Sequence, residues 1–246
     1  MKHIDLNCDM GEGLDNDAAI MPFISSANIA CGYHAGSTDI MKKTVLLAAE
    51  HQVAVGAHPG FADPEHFGRR EQHLTDTALY DLVATQIYAL QTICRTHNIP
   101  LHHVKPHGAL YNMAARSLPM AQIIARAVKD IDSRLQLFGL SNSFLISAAA
   151  AAGLHTVSEV FADRTYQPDG SLTPRTQPGA MIENETQAIQ QVLQMVAHQE
   201  VTTLQGTVVP LTAQTICIHG DGPHAVTFAG NIHQALLHHH LTIQHP

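Results

Sequence analysis

Asp5, Asn7 and Asp9 occupy alternate positions of the run IDLNCDM, so on a β-strand they would share one face while Ile4, Leu6 and Cys8 take the other. Carboxylates brought that close can hold one proton back by mutual repulsion, which yields an acid and a base from a single residue type. The pattern recurs along the chain. Lys105 and His107 share a face in HVKPHG, His219 and Asp221 share one in ICIHGDGP, and Glu12, His34, His58 and Glu159 lie at or just beyond the ends of comparable apolar runs. Histidines near neutrality move protons, and Lys105, one of five lysines, could hold a substrate carboxylate or developing phosphate charge. Any one of these groups could be a helix cap or a loop ion pair. Six coincident clusters at strand ends make Asp5, Asp9, Glu12, His34, His58, Lys105, His107, Glu159, His219 and Asp221 the candidate catalytic set.

Other chemistries fare less well. No residue is assigned as a metal ligand from the sequence, although Asp9, His34 and His58 are the residue types a catalytic divalent ion takes, and such an ion is kept as the alternative. His103 and His107 have zincin-like spacing, but Pro106 interrupts any helix between them. Cys31 with His34, or Cys217 with His219, could form a thiolate pair, yet neither carries the local pattern of a cysteine hydrolase. There is no GxSxG, and Ser37 reads as a helix cap. No GxxxxGK[ST] occurs, so a nucleotide, if used, is bound in another way or by a partner. The turn HGDGP at 219–223 offers free backbone N–H groups to an anion, which by itself is a weak signal.

The elements that must position these residues are legible as alternation. Strands are expected near 3–8, 27–31, 53–57, 102–106, 135–140, 155–160 and 214–219. Helices are expected over 38–51, 75–97, 119–130, 143–152, 185–198 and 223–240, with Pro223 in the first turn of the last. Seven strands alternating with helices imply parallel pairing and right-handed crossovers, hence a closed β/α barrel whose site lies at the strand ends. Two segments break the rhythm: 161–180 reads as a long loop, and 200–213 as a hairpin with Gln205 and Gly206 at its tip. The triple His238 to His240 reads as a solvated helix ending.

Length and composition agree with one such barrel spanning 1–246. Apolar residues make up 45%, enough for one large core. A formal charge of −8 with 13 Lys plus Arg excludes a nucleic-acid surface and favours a small-molecule substrate. The start has no apolar leader and 144–154 is too short and alanine-rich to cross a bilayer, which predicts a cytoplasmic protein without membrane contact. Four cysteines without CxxC spacing are expected to be reduced and packed as small hydrophobes.

The segments DLNCDMGEG (5–13), NIACGYHAG (28–36), GAHPGF (56–61), VKPHGALYN (104–112), EVFADRTYQPDGSLTPR (159–175) and CIHGDGPHA (217–225) together closely resemble the LamB/YcsF family, in order and over nearly the whole chain. The resemblance implies a seven-stranded barrel of the glycoside hydrolase/deacetylase type. It also implies ATP-dependent opening of 5-oxo-L-proline to L-glutamate as the A subunit of 5-oxoprolinase, in company with 5-oxoprolinase subunits B and C and with Mg-ATP. On that reaction, a carboxylate among Asp5, Asp9 and Glu12 would activate water, and His107 or His219 would protonate the ring nitrogen. Lys105 with Arg164 or Arg175 would bind the substrate carboxylate or a phosphate. Asn7 and Asn112 would orient the lactam, and Asp163 completes the substrate-binding set. Two readings from other classes remain open: a metal-dependent deacetylase or amidase acting alone, and a binding subunit without chemistry.

Overall fold

A computed structural model describes residues 3–220, 222 and 224–246. Among them, seven parallel strands close into a barrel: β1 (His3–Met10), β2 (Ser26–Ala30), β3 (Ala54–His58), β4 (Leu101–Val104), β5 (Gln136–Leu140), β6 (His155–Phe161) and, after a two-stranded excursion, β9 (Thr215–Ile218). Closure comes from β9 pairing with β6 on one side and β1 on the other, with Asp5 opposite Thr215 and Asn7 opposite Cys217. The excursion is the antiparallel hairpin β7 (Glu200–Thr202) and β8 (Val208–Pro210), with Gly206 at positive φ in its turn as the spacing predicts. A last short strand, β10 (Thr242–Ile243), pairs with the N-terminal end of β1 and was not anticipated.

The outer ring is built by α2 (Thr38–Glu50), α3 (Asp76–Thr96), α4 (Gly108–Arg116), α5 (Leu118–Ile131), α6 (Phe144–Ala152), α7 (Glu185–His198) and α8 (Ala225–His238), with a single short turn of helix, α1 (Asp17–Ile20), after β1. Their ends follow local chemistry. Ser37, Thr75 and Asn184 accept from the backbone N–H three residues on, capping α2, α3 and α7. Gly153 in the left-handed region ends α6. The helix α4 lies outside the helices expected from the sequence: Gly108, at φ +54, turns the chain straight into it, and Leu110, Tyr111, Met113 and Ala114 form its buried face. Pro223, expected to open the last helix, and Asp221 both lie outside the described residues.

Alternation along β1 sets the two layers of the core. Ile4, Leu6, Cys8 and Met10 are buried outward among the helices, while Asp5, Asn7 and Asp9 are buried inward. The barrel interior is therefore polar. Ser26 and Asn28 of β2, His103 of β4, Glu159 of β6 and Thr215 of β9 are all buried in it. In a typical barrel of this kind the interior layers are branched aliphatics. Here each polar group must instead find a partner across the barrel. Among the described residues, no helix is long and apolar enough to cross a membrane.

Candidate functional site at the strand ends

The interior network climbs from floor to mouth. At the bottom, Asp5 accepts from Ser25 Oγ at 2.6 Å, Ser26 Oγ at 2.8 Å and Thr215 Oγ1 at 2.5 Å. Burial raises its carboxyl to a pKa of about 6 in spite of these hydrogen bonds. One layer up, Asn7 donates to Glu159 Oε1 at 3.0 Å and Thr215 Oγ1 at 2.6 Å, and accepts from Asn28 Nδ2 at 2.8 Å. Lys105 crosses the barrel to this layer. Its ammonium stands 2.8 Å from Glu159 Oε1, 3.0 Å from Asp9 Oδ1, 3.2 Å from Asn7 Oδ1 and 3.1 Å from Cys217 Sγ. Burial works against the charged amine, but Asp9 and Glu159 outweigh it and carry Lys105 well above its usual value. Burial likewise opposes the Asp9 carboxylate, and His58 and Lys105 hold it well below its usual value all the same. The second oxygen of Glu159 accepts from Tyr111 at 2.6 Å, and burial beside that carboxylate keeps the phenol protonated.

A histidine group closes one wall. His58 Nε2 lies 3.3 Å from Asp9 Oδ2 and 2.9 Å from His107 Nδ1, and the His34 ring stacks on His107 with centroids 3.8 Å apart. Burial pushes His34 down to about 3 and His107 well below the usual imidazole value, each with the help of neighbouring His58. Glu12, His34, His58 and His107 present donor atoms within 4.8 Å of one another, a grouping able to hold a metal ion. Opposite them, His219 Nδ1 meets Asp163 Oδ2 at 2.7 Å and its ring stacks on Phe161. Burial would raise Asp163, but His219 and its hydrogen bond bring it below its usual value.

These groups open into a cleft of about 880 Å³ at the C-terminal ends of the strands, where the fold class expects a site. Asp9, Glu12, His58, Lys105, His107 and His219 line it, together with Asn112, Arg164 and Arg175. Asp5, Asn7, His34 and Glu159 lie behind that lining, buried and engaged with other side chains. Asp163 reaches the cleft through His219. Asn112 is exposed on α4 and donates to Gly108 O at 3.0 Å, the helix-bound role its position allows. Arg164 is buried and donates to the carbonyls of Thr173 at 2.6 Å and Ala180 at 3.4 Å, fastening the 161–180 segment onto itself. Burial and the repulsion of Arg175 lower Arg164 to about 10. Arg175 stands exposed at the cleft edge. A separate depression of about 730 Å³ between α7 and the end of α8 is lined by aliphatic and glutamine side chains with His198, His239 and His240, and shares no residue with the cleft.

Asn28, Tyr111 and Thr215 belong to the site and were missed. Strand parity would have found Asn28, because Ser26 and Asn28 alternate on β2 as Asp5, Asn7 and Asp9 do on β1. Tyr111 carried no such signal, since its helix was not among those expected.

The sequence profile of the LamB/YcsF family matches residues 4–246. The chain belongs to the LamB/YcsF family. Its relatives include the 5-oxoprolinase A subunit of Tolumonas auensis, 52% identical over 242 residues and 96% of each chain. Another is the 5-oxoprolinase A subunit of Bacillus cytotoxicus, 53% identical over 239 residues and 95% of each. The crystal structure of a lactam utilization protein from Thermus thermophilus superposes with a TM-score of 0.93 at 42% identity, covering 99% of both chains. The LamB/YcsF barrel is thus shared with that protein end to end.

Proposed function

We propose that this chain is the lactam-handling subunit of an ATP-dependent 5-oxoprolinase, opening 5-oxo-L-proline to L-glutamate together with subunits B and C. The observation that carries the reading is the end-to-end likeness to relatives called the A subunit of 5-oxoprolinase, 52% identical over 96% of the chain. The cleft supports it by offering what cyclic amide hydrolysis needs: an oriented imidazole, fixed charges and an edge arginine around a space larger than a five-membered ring.

The geometry supports one distribution of roles. An ammonium has three protons to donate, and Lys105 has four partners in place, so it fixes Asp9 and Glu159 rather than gripping a substrate anion. Arg175, exposed at the cleft edge, is the group left to take the substrate carboxylate or a phosphate. Asp9 is held ionised by Lys105 and His58, which makes it a poor base and a good electrostatic partner for positive charge forming nearby. His219, held through Nδ1 by Asp163, takes the proton from water as the water oxygen adds to the lactam carbonyl carbon. When the C–N bond breaks, His219 returns that proton to the departing ring nitrogen. ATP is coupled through the lactam oxygen: its γ-phosphoryl group passes to that oxygen with release of ADP before water adds, C–N cleavage then leaves glutamyl phosphate, and a second water releases glutamate and phosphate. With no phosphate-binding loop in this sequence, the nucleotide and its Mg are assigned to the assembled complex.

Reconstitution tests the reading. Glutamate release from 5-oxoproline is expected only when subunits B and C and Mg-ATP are present, with ADP formed in step. Robust turnover by this chain alone without ATP would refute it.

A further inference from the structure

Two backbone carbonyls decide where the protons sit on the histidines of the cleft wall. A carbonyl oxygen only accepts, so the 2.7 Å contact between His58 Nδ1 and Lys105 O and the 2.8 Å contact between His107 Nε2 and Phe67 O place a proton on each of those nitrogens. The remaining nitrogens, His58 Nε2 and His107 Nδ1, then face each other lone pair to lone pair at 2.9 Å. Such a pair repels unless something positive lies between or beside the two atoms. That can be a further proton or a metal cation, and in either case Asp9 Oδ2, 3.3 Å from His58 Nε2, is the neighbouring anion that attracts the positive charge.

The surroundings favour the cation. Glu12 Oε1 stands 3.6 Å from His107 Nδ1 and 3.5 Å from His34 Nε2. Metal–ligand bonds of roughly 2.0–2.1 Å in a tetrahedral set place neighbouring donor atoms roughly 3.3–3.4 Å apart, and the observed separations bracket that spacing. His34 is 1% exposed, and among the described residues neither of its ring nitrogens has a hydrogen-bond partner. A buried imidazole left in that condition is costly unless a ligand completes it. The carbonyls behind His58 and His107 are the outer partners that ligating histidines use to fix their tautomer. Space for the third ring is reserved by glycine: a Cβ at Gly60 would come within 2.6 Å of His34 Nδ1, and one at Gly68 within 2.8 Å of His34 Cβ.

We propose that Glu12, His34, His58 and His107 hold a divalent ion of the first transition row, His34 turning out of its parallel stack on His107 to aim Nε2 at it. Three imidazoles and one carboxylate suit the series from Mn²⁺ to Zn²⁺ and disfavour Mg²⁺ or Ca²⁺, which take oxygen donors. Glu12, His58 and His107 line the cleft, so the ion would be reachable from solvent. The inference does not rest on the lactam reading, because ion uptake is measured without substrate.

The test uses the full chain stripped of metal, in a background of His238→Gln, His239→Gln and His240→Asn that removes an exposed surface cluster able to bind ions on its own. Zn²⁺ is titrated calorimetrically, and Co²⁺ by its visible absorption. One ion per chain is expected, with affinity weakened at least roughly 100-fold in His58→Ala and His107→Ala while circular dichroism is unchanged. Should either alanine variant fail to fold, Glu12→Gln serves in its place with the same expectation. Absence of stoichiometric binding, or binding that these substitutions leave unaltered, overturns the proposal. The His58 and His107 pair is then bridged by a proton, which imidazole ¹⁵N resonances would display directly.

Discussion

Replacing Asp5 with Asn separates a structural carboxylate from a catalytic one, because the two roles leave different marks on pH dependence. Burial raises the Asp5 pKa from 3.8 to about 6 in the folded chain. The folded state therefore holds this proton more tightly than the unfolded state does, and the stability that follows is fully present below pH 3.8 and lost as pH rises through 6. At about 1.36 kcal/mol per pH unit, the rise from 3.8 to about 6 makes the ionised group cost about 3 kcal/mol by pH 8. About half of that loss, roughly 1.4 kcal/mol, falls between pH 5 and pH 8. Asp5→Asn removes the ionisation. The melting temperature of the variant relative to the parent should accordingly rise by roughly 3–6 °C between those two pH values. The absolute offset is a separate matter, because the Asn amide would face Thr215 Oγ1, which already accepts from Asn7 and donates to Asp5. Thermal melts of both proteins at half-unit pH steps measure the slope. A constant difference across the range would refute the burial argument. A turnover loss of roughly 100-fold in the reconstituted complex, with substrate affinity intact, would return Asp5 to the chemistry as a base.

Asp163→Asn should lower turnover by roughly 10²–10⁴-fold with little change in melting temperature, since the amide no longer holds His219 in its working tautomer; an unaltered pH–rate profile would exclude the pair. Lys105→Met strands two buried carboxylates and should destabilise by roughly 3–5 kcal/mol in urea unfolding, whereas the double change with Glu159→Gln should cost less than the sum of the singles; simple additivity would deny the coupling. Arg175→Ala should raise the substrate requirement roughly tenfold and leave turnover nearly unchanged, and a fall in turnover alone would instead place Arg175 at the transition state.

Much of this site was legible before any coordinates. Period-two alternation on β1 announced an inward Asp5, Asn7 and Asp9, and clusters of ionisable side chains marked six of the seven strand ends. The helix α4 was not foreseen, because Pro106 and Gly108 interrupt the pattern just before it, and Tyr111 was lost with the helix. The sequence could also not say which inward groups reach solvent. Asp5 and Glu159 look like Asp9 along the chain, but each is enclosed by residues that come from distant strands and helices: Thr215 for Asp5, Lys105 and Tyr111 for Glu159. Arg164 and Arg175 were read as equivalent; only the folded course of 161–180 shows that one is occupied by its own backbone and the other stands at the edge of the cleft.

Closure of the barrel joins β1 to β9, and the hydrogen bond from Thr215 to Asp5 spans 210 residues of chain. Contacts of such long sequence separation are slow to form, because the entropy of closing the loop is spent before the contact returns anything. On the ribosome the carboxylates and amides of β1 emerge 210 residues ahead of their partners on β9, so the strand must wait, solvated and incomplete, while the rest of the barrel is made. A polar face suits that wait, since an unpaired Asp5 or Asn7 is content in water where an exposed aliphatic strand would seek another chain. The hydrophilic interior is in this respect a safeguard during birth as well as the foundation of the cleft.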